Sequence, residues 1–149
     1  MTLTERLETD LKAAMKARDE LRLLVLRTLK SDLRYKQIEL GHELSDTEVV
    51  AVLSTAAKKR REAVGEYDRG GRQDLSDAER AELEIISKYL PEQLSQEELN
   101  ALIDKAIAQS GATTIKDLGA VMKVLMPEIR GRADGKVVNS SVKARLEGK

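Results

Sequence analysis

Basic side chains are concentrated in the last part of the chain, from residue 120 onward, where they outnumber acidic ones. Arg and Lys at this density can neutralise phosphates and release their counterions. The residues that we expect to contact phosphate or ribose are Lys123, Arg130, Arg132, Lys136, Lys143 and Arg145. A solvated helix surface that binds nothing has the same composition, so both interpretations stand.

A second basic patch lies near the middle of the chain, at Lys58, Lys59, Arg60 and Arg61. It has the same two interpretations, phosphate contact or a solvated helix face. The whole chain has 26 basic and 26 acidic residues, so its formal net charge is zero. Neutrality argues against indiscriminate coating of nucleic acid but permits a local basic surface.

Residues 131–136, Gly-Arg-Ala-Asp-Gly-Lys, place two glycines around Arg132 at the predicted start of the last helix. Free N–H groups at a helix start favour anions. A tight turn capped by Asp134 accounts for the same residues, because its carboxylate would itself occupy those donors. The sequence leaves an anion site and a capped turn open.

Few residues of this chain are suited to catalysis or to metal binding. The absence of Cys excludes disulfides, thiolate zinc sites and cysteine nucleophiles. The single histidine, His42, leaves no Ser-His-Asp arrangement, and we expect it in an exposed loop. With no Trp, no Phe and three Tyr, a base-stacking platform is not expected, and Tyr89 is predicted to be a core ring. We therefore predict no catalytic residue, no metal and no cofactor.

Helix-forming residues dominate the elements that must position these side chains, and we predict an all-α fold. Ser or Thr followed three residues later by Glu marks helix starts at residues 2, 45, 76 and 95. Four helices are predicted over about residues 3–17, 21–39, 46–68 and 77–90. Three short helices follow, of which the first is closed by Gly111, the second is closed by Pro127 and the third is entered through Asp134.

The second predicted helix has two apolar stripes. One contains Leu21, Leu24, Val25 and Thr28, and the other contains Leu23, Leu26, Leu29 and Leu33. A helix that is apolar on two sides is expected to sit centrally, with neighbours packed on both. We predict an N-terminal four-helix bundle-like unit, residues 1–94, followed by a C-terminal three-helix unit, residues 95–149.

The N-terminus carries an acidic residue early and lacks an apolar run, so no signal peptide is expected. No stretch approaches the roughly 18 apolar residues of a membrane span. We therefore expect a cytoplasmic protein without membrane contact.

Two stretches carry a family resemblance. The first is YLPEQLS, residues 89–95, followed by Glu-Glu-Leu at 97–99. The second is DLGAVMK, residues 117–123, together with GRADGK at 131–136 and Val-Lys at 142–143. With the basic third helix and residues 72–75, this chain resembles the YqeY family over essentially its whole length.

The resemblance implies a relation to the tail of the B subunit of the tRNA-dependent amidotransferase, a helical appendage that helps to hold tRNA. The kinase-like and glutamine-hydrolysing chemistry of that enzyme lies outside the tail. The resemblance therefore implies only the family's name as a carbon–nitrogen ligase with glutamine as amido donor. It does not imply that this chain has that activity. Family members often carry Lys where this chain has Ala120, and Lys123 follows three residues later.

The first functional hypothesis is a non-catalytic accessory module that binds tRNA by its shape and backbone. The alternative is a protein-interaction adaptor that docks on an amidotransferase, an aminoacyl-tRNA synthetase or another translation factor. A free-standing enzyme of amide chemistry is the third hypothesis. The lack of a candidate nucleophile or acid–base pair opposes it.

Overall fold

The computed structural model describes residues 1–148 and is all-helical, without a strand in that range. The predicted all-α class is confirmed. None of the helices within residues 1–148 combines the length and the apolar content that a membrane span needs. The α-helices are α1 Leu3–Ala17, α2 Glu20–Leu40, α3 Asp46–Arg69, α4 Gln73–Ser87, α5 Gln96–Ser110, α6 Leu118–Ile129 and α7 Gly135–Glu147, with a short 3-10 helix at Ile115–Asp117.

The chain divides into two compact units, Met1–Leu90 and the residues from Pro91 onward. The first unit contains α1 to α4 around one apolar core, in which Val25, Leu29 and Leu53 are fully buried. Its helix starts follow the predicted signals at two places. Thr2 with Glu5, and Ser45 with Glu48, form the reciprocal hydrogen bonds of a capping box.

Helix α2 differs from the prediction that neighbours cover it on both sides. Its inner stripe is buried, with Leu26 and Leu29 at most 2 % exposed. Its other stripe is only partly covered, because Val25 is fully buried but Leu21 is 42 % exposed and Leu24 57 %. Helices α1, α3 and α4 all contact α2, as expected for a central helix, but they leave Leu21 and Leu24 in solvent.

The predicted start of α4 at Ser76 is wrong. The helix begins at Gln73, directly after a turn through Gly70 and Gly71, and Ser76 lies within it. Gly71 has a φ of 71°, which lets the chain reverse at once after α3. Ser76 is fully buried, and its hydroxyl has no hydrogen-bond partner among the described residues. A pattern typical of a cap therefore marks a core position.

The end of α4 also differs from the prediction. The helix stops at Ser87 rather than at Leu90, and two tighter turns follow. Pro91 disfavours helical backbone at the residue before it, which shortens the helix.

Tyr89 joins the segment after α4 to α1. The ring is 5 % exposed, as predicted for a core residue, and its hydroxyl donates to Asp10 Oδ2 at 2.5 Å. The Arg6 guanidinium lies 4.8 Å from the ring centroid and also donates to Lys88 O at 3.1 Å. Burial, and then the bond to Asp10, raise the pKa of the Tyr89 hydroxyl.

The second unit packs α5, the 3-10 helix, α6 and α7 around a separate core that includes Ile103, Val121 and Val138. Leu94, the last residue before the predicted domain boundary, packs against this core. Ser95 caps α5 by accepting from Glu98 N at 3.1 Å, and α5 ends at Gly111 with a φ of 70°, both as predicted.

Pro127 does not close α6 as predicted, because the helix continues to Ile129. Proline removes the N–H that would donate to the carbonyl of residue 123, but this loss of one hydrogen bond does not end the helix. Val121, Leu125 and Ile129 recur at four-residue spacing and are all buried. Packing of Ile129 in the core stabilises the turn that contains the proline.

Two serine-to-alanine substitutions should have opposite effects on stability. Ser95→Ala removes a helix cap and should lower the free energy of unfolding by about 1 kcal/mol. Ser76→Ala removes a buried hydroxyl without a partner and should raise that free energy by about 1 kcal/mol. Urea unfolding of both variants checks this. A loss of stability in Ser76→Ala equal to that in Ser95→Ala would contradict the buried position.

Tyr89 should make the first unit less stable at alkaline pH. A raised pKa means that the folded state keeps a proton which the unfolded state loses above pH of about 10. The Tyr89 proton therefore contributes its full share to the free energy of unfolding below that pH. Above it, this share falls by at most about 1.4 kcal/mol per pH unit. Tyr89→Phe should therefore show a shallower fall in stability between pH 10 and pH 12 than the parent, measured by urea unfolding across that range. Equal slopes would show that the Tyr89 proton is not the cause.

Candidate functional site

The two stretches that carry the family resemblance contact each other in the second unit. Gln93 Nε2 donates to Gly131 O at 2.9 Å, and Leu94 N donates to Arg132 O at 2.9 Å. Arg132 Nε returns a hydrogen bond to Glu92 O at 3.3 Å. We call this arrangement, residues 92–94 with residues 131–132, the loop contact. It fixes the turn between α6 and α7 against the segment that enters α5.

The Arg132 side chain is part of the loop contact. Its guanidinium NH1 also donates to Glu128 O at 3.4 Å, so that the side chain binds two backbone carbonyls and is half-buried. Gly131 before it has a φ of 77°, a left-handed conformation that favours glycine. The structure therefore places Arg132 in intramolecular hydrogen bonds rather than free in solvent.

Asp134 caps α7, which confirms the capped-turn interpretation of residues 131–136. Its carboxylate accepts from Lys136 N at 2.9 Å. The donor that an anion would have used at this helix start is thus occupied by the protein's own carboxylate.

Arg145 joins α7 to α5. Its guanidinium forms an ion pair with Asp104 and donates to Asn100 O at 3.3 Å. The side chain is 30 % exposed. Like Arg132, it is placed in contacts within the second unit.

The other four predicted cations of the second unit point into solvent. Lys123 and Arg130 belong to α6 and the residue after it, and Lys136 and Lys143 belong to α7. Each pair is separated by seven residues, close to two helical turns, so its members lie on one side of the helix, about 10 Å apart. Within residues 1–148 none of the four forms an ion pair or a side-chain hydrogen bond. These four are the open cationic groups of the second unit's predicted set.

Ala120 is exposed on α6, as is Lys123 one turn later. Residues at that spacing are neighbours on a helix surface. A lysine at residue 123 therefore presents its charge beside residue 120.

The second basic patch is spread around α3. Consecutive helical residues point about 100° apart, so Lys58, Lys59, Arg60 and Arg61 cannot share one face. Arg60 turns toward α4, where its guanidinium lies 4.0 Å from Glu82 and donates to Ala56 O. Lys59 and Arg61 are exposed.

Carboxylates with displaced pKa values stand at helix starts in this structure. Backbone N–H groups of Thr113 and Thr114 lower the pKa of Asp117. The backbone N–H of Ser45 does the same for Glu48, and the Arg72 side chain for Asp74. Their physical role is to cap or pair near helix ends, and a lowered pKa suits neither a general acid nor a base near neutral pH.

His42 lies in an exposed loop, as predicted, with Nδ1 2.8 Å from Glu43 O and Nε2 3.7 Å from Glu48. In the described part of the chain no three His, Asp or Glu side chains lie close enough together to hold a metal ion. A surface groove of about 680 Å³ lies between α1 and α2, and its lining combines Leu and Ile side chains with charged and polar ones.

Comparison with known families matches residues 4–146 to the family described as Yqey-like protein. The chain belongs to the YqeY family. The match includes both stretches of the loop contact and the four exposed cations, so this family membership covers the whole candidate site.

Curated relatives are fungal proteins named "Altered inheritance of mitochondria protein 41, mitochondrial". The one from Saccharomyces cerevisiae is 30 % identical over 131 residues, which are 87 % of this chain and 69 % of the relative. The one from Lachancea thermotolerans is 31 % identical over 106 residues, 69 % of this chain and 57 % of the relative. A third, from Vanderwaltozyma polyspora, is 26 % identical over 119 residues, 75 % of this chain and 64 % of the relative.

These relatives contradict the predicted cytoplasmic location, because their names assign them to mitochondria. The prediction rested on composition and on the N-terminal residues, and neither distinguishes the compartments in which members of one family work.

Arg132 should contribute more to stability than a neighbouring lysine of equal charge. Arg132→Met removes two hydrogen bonds to backbone carbonyls and should lower the free energy of unfolding by about 1–2 kcal/mol. Lys136→Met, its matched control, should change it by less than about 0.5 kcal/mol. Urea unfolding measures both. Amide exchange at Leu94, which donates to Arg132, should also become faster in Arg132→Met alone, and equal exchange in the two variants would contradict the loop contact.

Proposed function

We propose that this YqeY-family chain is a non-catalytic accessory module that binds tRNA through its sugar–phosphate backbone. The contact surface is formed by the solvent sides of α6 and α7. We call the four residues that carry it, Lys123, Arg130, Lys136 and Lys143, the cationic set.

The observation that carries the proposal is that the cationic set has no acidic partner among the described residues. The second unit has other cations, but Arg132 and Arg145 are engaged with its own carbonyls and with Asp104. Cations that the fold does not use, and that lie in pairs along two helices, are free to neutralise phosphates. Arg132 and Arg145 support this surface by holding its helices in place.

Recognition of the backbone rather than of the bases follows from the aromatic content. Stacking of unpaired bases needs exposed rings, and the chain has neither Trp nor Phe. The three Tyr, at residues 35, 67 and 89, all lie in the first unit, so the second unit has no aromatic ring near the cationic set. The cationic set therefore suits a folded RNA whose shape presents phosphates at the right places.

The resemblance to the amidotransferase B-subunit tail supports tRNA in particular. That tail is an appendage which helps to hold tRNA, and this chain resembles the appendage alone. The proposal assigns no amide or ligase chemistry to the chain.

A protein-interaction adaptor is the second candidate. The groove between α1 and α2 favours it, because a concave surface that combines exposed apolar side chains with charged ones is a common site of protein contact. Its partner would be an amidotransferase or an aminoacyl-tRNA synthetase.

The proposal predicts a specific dependence of tRNA binding on salt. Fluorescence anisotropy of labelled tRNA should show affinity that falls linearly in log salt. Lys136→Glu/Lys143→Glu should weaken binding by on the order of tenfold at low salt and reduce the slope by about one for each lysine. Lys105→Glu, an exposed lysine of α5 in the same unit, is the control with the same charge reversal at one site.

Three results would decide between the candidates. Loss of affinity in the double variant, retained affinity in the control and weak competition by a plain RNA duplex would support a tRNA-binding surface. A loss in Lys105→Glu that is equal to the loss in the double variant for each reversed charge would show that only total charge matters and would remove the site. No binding of the parent protein at low salt would reject tRNA binding, and sedimentation with purified amidotransferase or synthetase would then test the adaptor.

A further inference from the structure

Helix α2 carries an apolar stripe that the fold does not use. Leu24 is 57 % exposed, Tyr35 75 % and Ile38 69 %. The stripe runs along the side of α2 opposite the buried Leu26, Leu29 and Leu33, and Ile38 at its end also borders the groove between α1 and α2. The residues that form this outer seam, as we call it, are Leu21, Leu24, Thr28, Ser31, Tyr35 and Ile38.

The spacing of the outer seam is that of a coiled coil. Its residues alternate in steps of three and four, which are the a and d positions of a heptad repeat. The buried residues Leu26 and Leu33 then fall at f and Leu29 at b, on the opposite side of the helix. Helix α2 can therefore pack on its own unit and on a second helix at the same time.

Charged residues flank the outer seam in a complementary order. Arg27 and Arg34 stand at g, immediately before seam residues, whereas Asp32 and Glu39 stand at e, immediately after them. In a parallel, in-register pair of helices, a g residue meets the e residue five positions later on the other helix. Arg27 would then face Asp32 of the second copy, and Arg34 would face Glu39 of the second copy.

The flanking charges are available for this pairing. Arg27, Asp32 and Arg34 are exposed, and within residues 1–148 none of them forms an ion pair. Glu39 pairs with Lys36 on its own helix at 3.4 Å but stays 68 % exposed. An antiparallel pair would instead bring g residues beside g residues, which places Arg27 near Arg34 of the second copy and loses the complementarity.

We propose that the protein forms a parallel homodimer through the outer seam of α2. The seam is short, and Thr28 and Ser31 place hydroxyls at its centre, so the dimer is weak and depends on protein concentration. The occupant of this face is thus a second copy of the chain rather than a different protein.

Cysteine cross-linking gives the first test, because the chain has no cysteine of its own. Ile38→Cys places a thiol at the end of the seam, where a parallel dimer brings the two copies together. In an antiparallel dimer these thiols would be more than about 20 Å apart. Gln37→Cys is the control, since its side chain is exposed one residue away and off the seam. Mild oxidation of the full chain should give a covalent dimer in most of the Ile38→Cys protein and little in Gln37→Cys.

Charge reversal gives the second test. Sedimentation of the full chain from micromolar to millimolar concentration should show a monomer–dimer equilibrium. Arg34→Glu should raise the dissociation constant of the dimer several-fold, and Arg34→Glu/Glu39→Arg should restore it. Circular dichroism of each variant verifies that the helices are intact.

Each other outcome overturns the proposal. A parent protein that stays monomeric at millimolar concentration has no dimer. Equal cross-linking at residues 37 and 38 indicates random collision, and a double charge reversal that does not restore association rejects the parallel register.

Discussion

Apolar side chains that recur every three or four residues are the constraint on which this structure depends. The chain has no cysteine and so no disulfide, and each unit is built around its own apolar core. Each helix can bury one stripe against its neighbours and must leave its other sides in water. The charged residues, 35 % of the chain, occupy those remaining sides. The candidate site is therefore a consequence of where the cores leave helices uncovered.

Arginine and lysine side chains have different roles in the second unit. Arg132 and Arg145 each bind a backbone carbonyl of another segment, which a planar guanidinium with several donors does well. The lysines at residues 123, 136 and 143 carry their charge outward on flexible stems. The same surplus of positive charge thus serves two purposes. The arginines of the loop contact and of the α5–α7 contact order the helices, and the lysines on those helices remain open to a polyanion.

Helix α2 shows that an apolar stripe has no single structural meaning. Two stripes on one helix indicate two packing surfaces, but they do not say which molecule supplies the second neighbour. The first unit covers the inner stripe with its own helices and leaves the outer one exposed. The heptad spacing and the order of the flanking charges are the features that distinguish an interface from chance exposure.

The sequence by itself determined the helices, most of their ends and the apolar stripes that form the cores. These properties depend on residues within about four positions of one another, through caps at Thr2, Ser45 and Ser95, through glycine stops and through helical periodicity. The family also followed from local stretches, residues 89–95 and 117–136. Composition favoured the all-α class for the same local reason.

Only the tertiary structure decided which side chains face water. Ser76 has the spacing of a cap and lies in the core, because the turn at Gly70 and Gly71 starts α4 earlier. Arg132 resembles an anion ligand in sequence and instead binds Glu92 O, 40 residues away along the chain. Such contacts depend on how helices pack against each other, and the residues near Arg132 in sequence contain no information about which carbonyl it will meet.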